Sequence, residues 1–333
     1  MAHLVTFGEL LLRLNCPGIQ RFSQIDHLEV SVAGAEANVA VAATSFGHQA
    51  TFVSALPANG IGELARGRLK MCDVKTDHLL AMGARMGTYY LEAGALQRPS
   101  EIIYDRAGSA FATAPASAYD WPQIFATANW FHTSGINPSL SREAATATRQ
   151  ALQAARAAGV TTSFDLNYRE KLWSVAEARP VLESMLPFVD LLIAGRGQLG
   201  QVLGVTSELD DFDGIEKVAA ATRQRYGIPR LCIPRRGSGE ATLETRSAYY
   251  ADATTTHRAP WMAFEMLEPL GGGDAFAGVL ISALLNGEPP ARATDLAVAA
   301  ACVKHSIPGD FLRARVAEVE SFLAAPGKRG IKR

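Results

Sequence analysis

Leu4-Val5-Thr6-Phe7-Gly8-Glu9 reads as a short apolar strand ending in glycine and acid, the usual opening of a parallel sheet whose loops gather at the strand C-termini. The next stretch has another period. From Leu10 to Val32 apolar and polar positions alternate (Leu12, Leu14; Leu28, Val30, Val32) around a Pro17-Gly18 turn, which predicts strands covered on one face only. Gly87 to Arg106 repeats that pattern, with Thr88-Tyr89-Tyr90-Leu91-Glu92 and Ile102-Ile103-Tyr104-Asp105-Arg106 flanking the polar turn Gln97-Arg98-Pro99-Ser100. Two half-buried β patches, 10–33 and 87–107, set into an otherwise α/β chain predict a small lid; surface hairpins without a role would give the same pattern. Between them, Ala33 to Ala42 predicts a glycine turn into a helix, and Ala50 to Leu56 a strand.

From Trp130 onward the alternation is regular. Strand (Trp130–Ser134), helix (Ser141–Ala158) and strand (Val160–Asp165) are followed by helix (Ala176–Met185), strand (Asp190–Ala194), helix (Gly214–Tyr226) and strand (Arg230–Ile233). Such alternation with short loops predicts an α/β fold on a doubly wound, mostly parallel sheet. With 333 residues, 48% of them hydrophobic, the expectation is a single domain over 1–333 that carries the lid.

One stretch breaks the pattern in a way that points to chemistry. Leu270-Gly271-Gly272-Gly273-Asp274-Ala275-Phe276 precedes an apolar run, Ala277 to Leu285, with the length of a helix ending at Gly287. Consecutive glycines let backbone N–H groups converge, and a helix N-terminus behind them favours a phosphate or a developing oxyanion. A carboxylate beside such a site repels the ligand unless it has work to do, and general base for a substrate hydroxyl is such work. As an isolated tetrapeptide, Gly-Gly-Gly-Asp reads first as a tight turn with Asp as the helix cap, and only its context reverses that order.

Charge and cysteines narrow the class. A net charge of −1 gives no field for nucleic acid, and the only basic cluster is the tail Lys328–Arg333, read as a solvated terminus. The four cysteines form no Cys-x-x-Cys pair and Met1 to Phe7 leads straight into a strand, so a cytoplasmic protein is expected. No apolar stretch reaches the roughly 18 residues of a membrane helix. P-loop, nucleophile-elbow and His-Glu-x-x-His motifs are absent, and the seven histidines never pair at metal-ligand spacing. Gly60-Ile61-Gly62-Glu63-Leu64-Ala65 formally fits a dinucleotide fingerprint, but it lies outside the first βα unit and lacks an acid about 20 residues on.

The glycine cradle with Asp274, together with Ala33 to Asn38 near the start, resembles the ribokinase-like (PfkB) carbohydrate kinases, whose late signature has the form Asp-x-x-Gly-x-Gly-Asp. The resemblance implies that Gly271, Gly272 and Gly273 stabilise a transferring phosphoryl group and that Asp274 takes the acceptor's proton. Within the family, Gly34 to Ala40, Tyr104 to Phe111, Asp165 to Arg169 and Lys304 to Asp310 are most similar to the branch acting on 2-keto-3-deoxygluconate. That similarity implies a substrate site of Gly34, Asn38, Tyr90, Tyr104, Arg106, Asn167, Arg169 and Asp310. Arg106 and Arg169 agree with it chemically, since a carboxylate substrate rewards guanidinium forks whereas a neutral sugar calls for amides and carboxylates. The implied cofactors are ATP, placed on Arg235, Gly237, Gly272 and Gly273, and Mg2+, with a monovalent cation left open.

Three departures stand out. Glu268 occupies the signature's first acidic position, which leaves it an indirect magnesium contact at most; Gly195-Arg196-Gly197-Gln198 replaces Asn-x-x-Glu; and Pro234 to Gly239 stands in for the nucleotide loop. The competing readings are a neutral-sugar kinase of the fructokinase or ribokinase type, a catalytically weak sugar-acid-binding protein and, last, a dinucleotide oxidoreductase. Exposed lid edges also suggest a homo-oligomer that pairs two lids.

Overall fold

The computed structural model describes residues 1–209, 212–238 and 243–326, so the basic tail and Gly239 lie outside the described residues. The N-terminal third holds β1 (His3–Phe7), β2 (Leu11–Asn15), β3 (Glu29–Ala33), α1 (Ala35–Ser45), β4 (Gln49–Leu56), α2 (Gly60–Lys70), β5 (Val74–Lys75), β6 (Leu79–Ala81), β7 (Gly87–Glu92) and β8 (Glu101–Asp105). Next come α3 (Ala110–Thr113), α4 (Trp121–Phe125), β9 (Trp130–Ser134), α5 (Arg142–Ala157), β10 (Thr161–Asp165), α6 (Val175–Glu183), β11 (Leu191–Ile193), α7 (Arg196–Leu203) and α8 (Phe212–Tyr226). The chain finishes with β12 (Arg230–Ser238), β13 (Leu243–Ala251), β14 (Thr256–Arg258), β15 (Met262–Glu265), α9 (Gly272–Leu285), α10 (Pro290–Lys304) and α11 (Val316–Ala324).

The large sheet runs β14-β13-β12-β11-β10-β9-β1-β4-β5, parallel from β12 to β5 and antiparallel beyond it. Its parallel strands are apolar on both faces because helices cover both: α1, α9 and α10 pack on one side, α3 to α8 on the other. The chain leaves β1 first toward β4 and later returns to its other side as β9, which makes the β1/β9 junction a topological switch point. Among the described residues no helix is long and apolar enough to cross a membrane.

The two alternating stretches pair into one separate sheet, β3-β2-β7-β8. Its inner face carries Leu11, Ala33, Tyr89 and Leu91, with Ile102 and Leu270 against them. The register sets Val30, Leu14, Tyr90 and Ile103 in one row across all four strands, on the outer face. Val30 and Ile103 are half exposed there.

Three sequence expectations shift. Gly60 to Ala65 is the start of α2, capped by Asn59, whose Oδ1 accepts from Ile61 and Gly62 N–H at 3.1 Å each, so those glycines form a helix and not a phosphate loop. β12 continues past Ile233 to Ser238 because β13 pairs with it along that whole length. α9 begins inside the glycine run, at Gly272, since Gly271 alone takes the left-handed turn (φ +80°).

Candidate active site

The site is organised by that one left-handed residue. A side chain on Gly271 would collide with the Asp310 carbonyl, and one on Gly272 with the His305 ring, so both must be glycine for the cradle to close on its support. Gly272, Gly273 and Asp274 then form the first turn of α9, whose N–H groups have no acceptor within the helix. Asp274 is half-buried, and its Oδ2 accepts from Asn38 Nδ2 of α1 at 2.6 Å. Withdrawal from water pushes its carboxyl up to about 7; the Asn38 hydrogen bond opposes this, and Asp165, Asp310 and Glu36 add to it.

Two cavities meet at Asp274. The first, about 490 Å³, is walled by the inner face of the small sheet and the C-terminal ends of β1, β9 and β10. Gly34, Asn38, Tyr104, Arg106, Arg169 and Asp310 line it, with Glu9, Glu36, Tyr89, Asn137 and Lys171. Arg106 Nε donates to Glu9 Oε2 at 2.8 Å, which leaves Glu9 Oε1 buried without a hydrogen-bond partner. Asn137 Nδ2 donates to the Phe7 carbonyl and to Glu36 Oε1, both at 2.9 Å, and its Oδ1 is likewise without a partner. Buried acceptors of this kind suit the hydroxyl donors of a sugar. Burial pushes Glu36 up to about 7, against the pull of Ser134 and Asn137.

The second cavity, about 640 Å³, shares Arg169, Gln198, Leu270, Gly271 and Asp274 with the first. It is lined by Arg169, Arg196, Arg235, Arg236 and Arg246, against the carboxylates of Asp165 and Asp274 alone. Arg235 lies over Phe212 and Trp261, its guanidinium carbon 4.2 and 4.7 Å from the ring centres. Among the described residues no group of three His, Cys, Asp or Glu could hold a metal ion. Magnesium commonly uses only one or two carboxylates plus substrate phosphates and keeps several waters, and Asp165 meets that modest demand. Its carboxyl is raised to about 6 by withdrawal from water, countered first by Arg169.

The pfkB family carbohydrate kinase model matches residues 1–310. This chain belongs to the pfkB family of carbohydrate kinases. A 2-dehydro-3-deoxygalactonokinase of Haloferax volcanii is 37% identical over 100% of this chain and 99% of its own. A 2-dehydro-3-deoxygluconokinase of Thermoproteus tenax is 30% identical over 93% and 90%. The crystal structure of a Thermotoga maritima 2-dehydro-3-deoxygluconokinase superposes with a TM-score of 0.94 at 39% identity, covering 97% of this chain and 98% of that one.

Placed on the pfkB frame, four expected site residues need correction. Tyr90 belongs to the outer row of the small sheet; strand alternation puts its neighbour Tyr89 in the cavity, where the phenol donates to Asp310 Oδ1 at 3.0 Å. Asn167 lines the second cavity, not the first, with a positive φ of 35°. Gly237 lies inside β12 opposite Thr245 and lines neither cavity, so no loop forms there to approach a nucleotide. Glu268 is spent structurally: it accepts from Arg13 Nη2 at 2.7 Å, Gly309 N at 3.1 Å and Leu270 N at 3.2 Å, and it too lines neither cavity. Arg13, buried on β2 and bonded also to Asp310, escaped the sequence reading, as did Glu9, Glu36, Tyr89, Asn137 and Arg246. Only the alternation in β2 and β7 could have singled out Arg13 and Tyr89, which are cross-strand partners.

Proposed function

We propose that this kinase transfers the terminal phosphoryl group of ATP to the terminal hydroxyl of 2-keto-3-deoxygluconate or its 4-epimer. The observation that carries the reading is the position of Asp274 and Gly271 on the wall common to a sugar-sized cavity and an arginine-lined one, with Gly272 and Gly273 on the arginine side. The sugar hydroxyl, in the first cavity, gives its proton to Asp274, which Asn38 orients. The α9 N-terminus and the arginines of the second cavity hold the phosphates and stabilise charge during transfer. Asp165, in the same cavity as Gln198, would hold magnesium, which would supply charge neutralisation to the phosphates.

Recognition of the acid falls mainly to Arg169 and Lys171. Both line the first cavity and, among the described residues, neither is ion-paired, whereas Arg106 is paired with Glu9. The four-stranded sheet acts as the lid over this cavity, and its outer row of Val30, Leu14, Tyr90 and Ile103 pairs with the same row of a second copy. The test is coupled ADP release from ATP with 2-keto-3-deoxygluconate, its 4-epimer, fructose and ribose. A higher kcat/KM on either neutral sugar than on both acids would reject the sugar-acid assignment, and a monomer in light scattering would reject the lid-paired dimer.

A further inference from the structure

Arg246, on β13, is 7% exposed and lines the second cavity beside Gly271, Gly272 and Gly273. A buried guanidinium normally faces a carboxylate, because an unpaired charge costs several kcal/mol to withdraw from water, roughly. Arg246 does not: among the described residues it makes no ion pair, and its Nε has no hydrogen-bond partner. Arg236 repels it, while Cys302 and Glu244 act the other way; burial first and Arg236 second ease its hold on the proton to about 10, so it stays charged at neutral pH.

What positions Arg246 is neutral. Its Nη2 lies 2.6 Å from His305 Nε2, and since a guanidinium can only donate, Nε2 accepts and the ring proton sits on Nδ1, which donates to the Glu268 carbonyl at 2.6 Å. Burial, first of all, lowers His305 to about 4, which keeps the ring neutral in that role. Phe264 stacks on the imidazole (5.0 Å between centroids, 13° between planes) and lies under the guanidinium at 5.8 Å. The same His305 Nε2 fills the space where a side chain on Gly272 would sit. A single ring atom therefore separates an uncompensated guanidinium from the first turn of α9.

We infer that Arg246 is a catalytic residue of this kinase: together with the first-turn N–H groups of α9 it holds the nucleotide's phosphate chain and stabilises the charge left on it. This rests on the phosphoryl-transfer reading above. In the transfer the bond from the terminal phosphorus to the bridging oxygen breaks and a bond from that phosphorus to the sugar oxygen forms. The hydroxyl proton passes to Asp274, and the electron pair of the broken bond stays on the departing nucleoside diphosphate. Arg246 lines the second cavity and not the first, which puts it on the side where that charge appears.

The experiment compares wild type, Arg246→Lys and Arg246→Met for binding of ADP and of adenosine by calorimetry, and for kcat with ATP and the sugar acid. Arg246→Met should weaken ADP at least about tenfold, leave adenosine within about twofold and lower kcat at least about 10²-fold, with Arg246→Lys intermediate. An unchanged preference for ADP over adenosine, or an unchanged kcat, overturns the assignment. Should the Met variant fail to fold, the wild-type arginine Nε–H spectrum decides, its Arg246 signal identified by loss in Arg246→Lys: ADP must move that signal and adenosine must not. A wild type that neither binds ADP nor phosphorylates a sugar acid would instead reject the phosphoryl-transfer reading, before any variant is made.

Discussion

Replacing Asn38 isolates the control of the proposed base, Asp274. Asn38 Nδ2 donates to Asp274 Oδ2 at 2.6 Å and is the chief group holding that carboxyl down while burial, Asp165, Asp310 and Glu36 push it up to about 7. A hydrogen bond to a charged group is worth about 1.5–3 kcal/mol and one pKa unit about 1.4 kcal/mol, so Asn38→Ala should raise the inflection by about one unit. In wild type, kcat/KM should climb through about pH 7 and then level as Asp274 loses its proton. In Asn38→Ala the same climb should centre near pH 8, with the plateau approached only in mild alkali. Asp274→Asn should remove the climb and at least about 10²-fold of kcat, with sugar-acid binding nearly intact. The same shift has a sign for stability: between about pH 4 and 7 the native state holds a proton that the unfolded state has lost, so stability falls as pH rises and Asp274→Asn should raise the Tm of the free protein at pH 8. The assays are a pH series of coupled ADP release and thermal melts of both variants. An Asn38→Ala profile superposable on wild type would show that Asp274 is not the group whose ionisation limits the rate.

Arg169→Lys keeps a charge but loses the fork, so KM for the sugar acid should rise about tenfold to a hundredfold while any activity on neutral sugars barely changes; equal losses on both would assign Arg169 to the second cavity, which it also lines. Gln198→Glu restores a carboxylate at the junction of the cavities and should lower the magnesium concentration for half-maximal rate; an unmoved titration would take residue 198 out of the metal's reach. Arg13→Met strips the buried partner from both Glu268 and Asp310 and should cost about 3–5 kcal/mol in denaturant unfolding, and a loss under about 1 kcal/mol would mean that the network relaxes without it.

The fold was legible because both of its periods are strong. Regular strand and helix alternation from Trp130 gives the parallel sheet, and two-residue alternation in 10–33 and 87–107 gives the second sheet. The cradle was legible from its glycines, whose need is local: Gly271 has a positive φ, and Gly272 has no room for a side chain. The cavity walls were not, because their chemistry is assembled from residues far apart in sequence. Glu9 finds Arg106 across 97 residues and Arg13 finds Glu268 across 255, and nothing local marks either pair. Tyr89 and Tyr90 are the sharpest case, since composition cannot tell two adjacent tyrosines apart and only the register with β2 decides which one enters the cavity.

The Arg13 network explains why a small sheet and a distant helix terminus form one site. Arg13 and Tyr89 stand side by side on β2 and β7, and both reach Asp310, while Arg13 also holds Glu268 just before the cradle. The Asp310 carbonyl in turn abuts Gly271, the residue whose left-handed turn starts α9. Lys304, fully buried and lowered to about 8 by withdrawal from water, adds a cation between these acids and donates to the Ile307 carbonyl at 2.9 Å. Such a cluster is a poor source of stability, because removing its charges from water offsets most of their attraction. Its value is geometric. It ties the inner face of the sheet over the first cavity to the backbone that opens α9, so in the proposed binding mode a sugar seated against Tyr89 and Asp310 bears directly on the cradle rather than through a flexible loop.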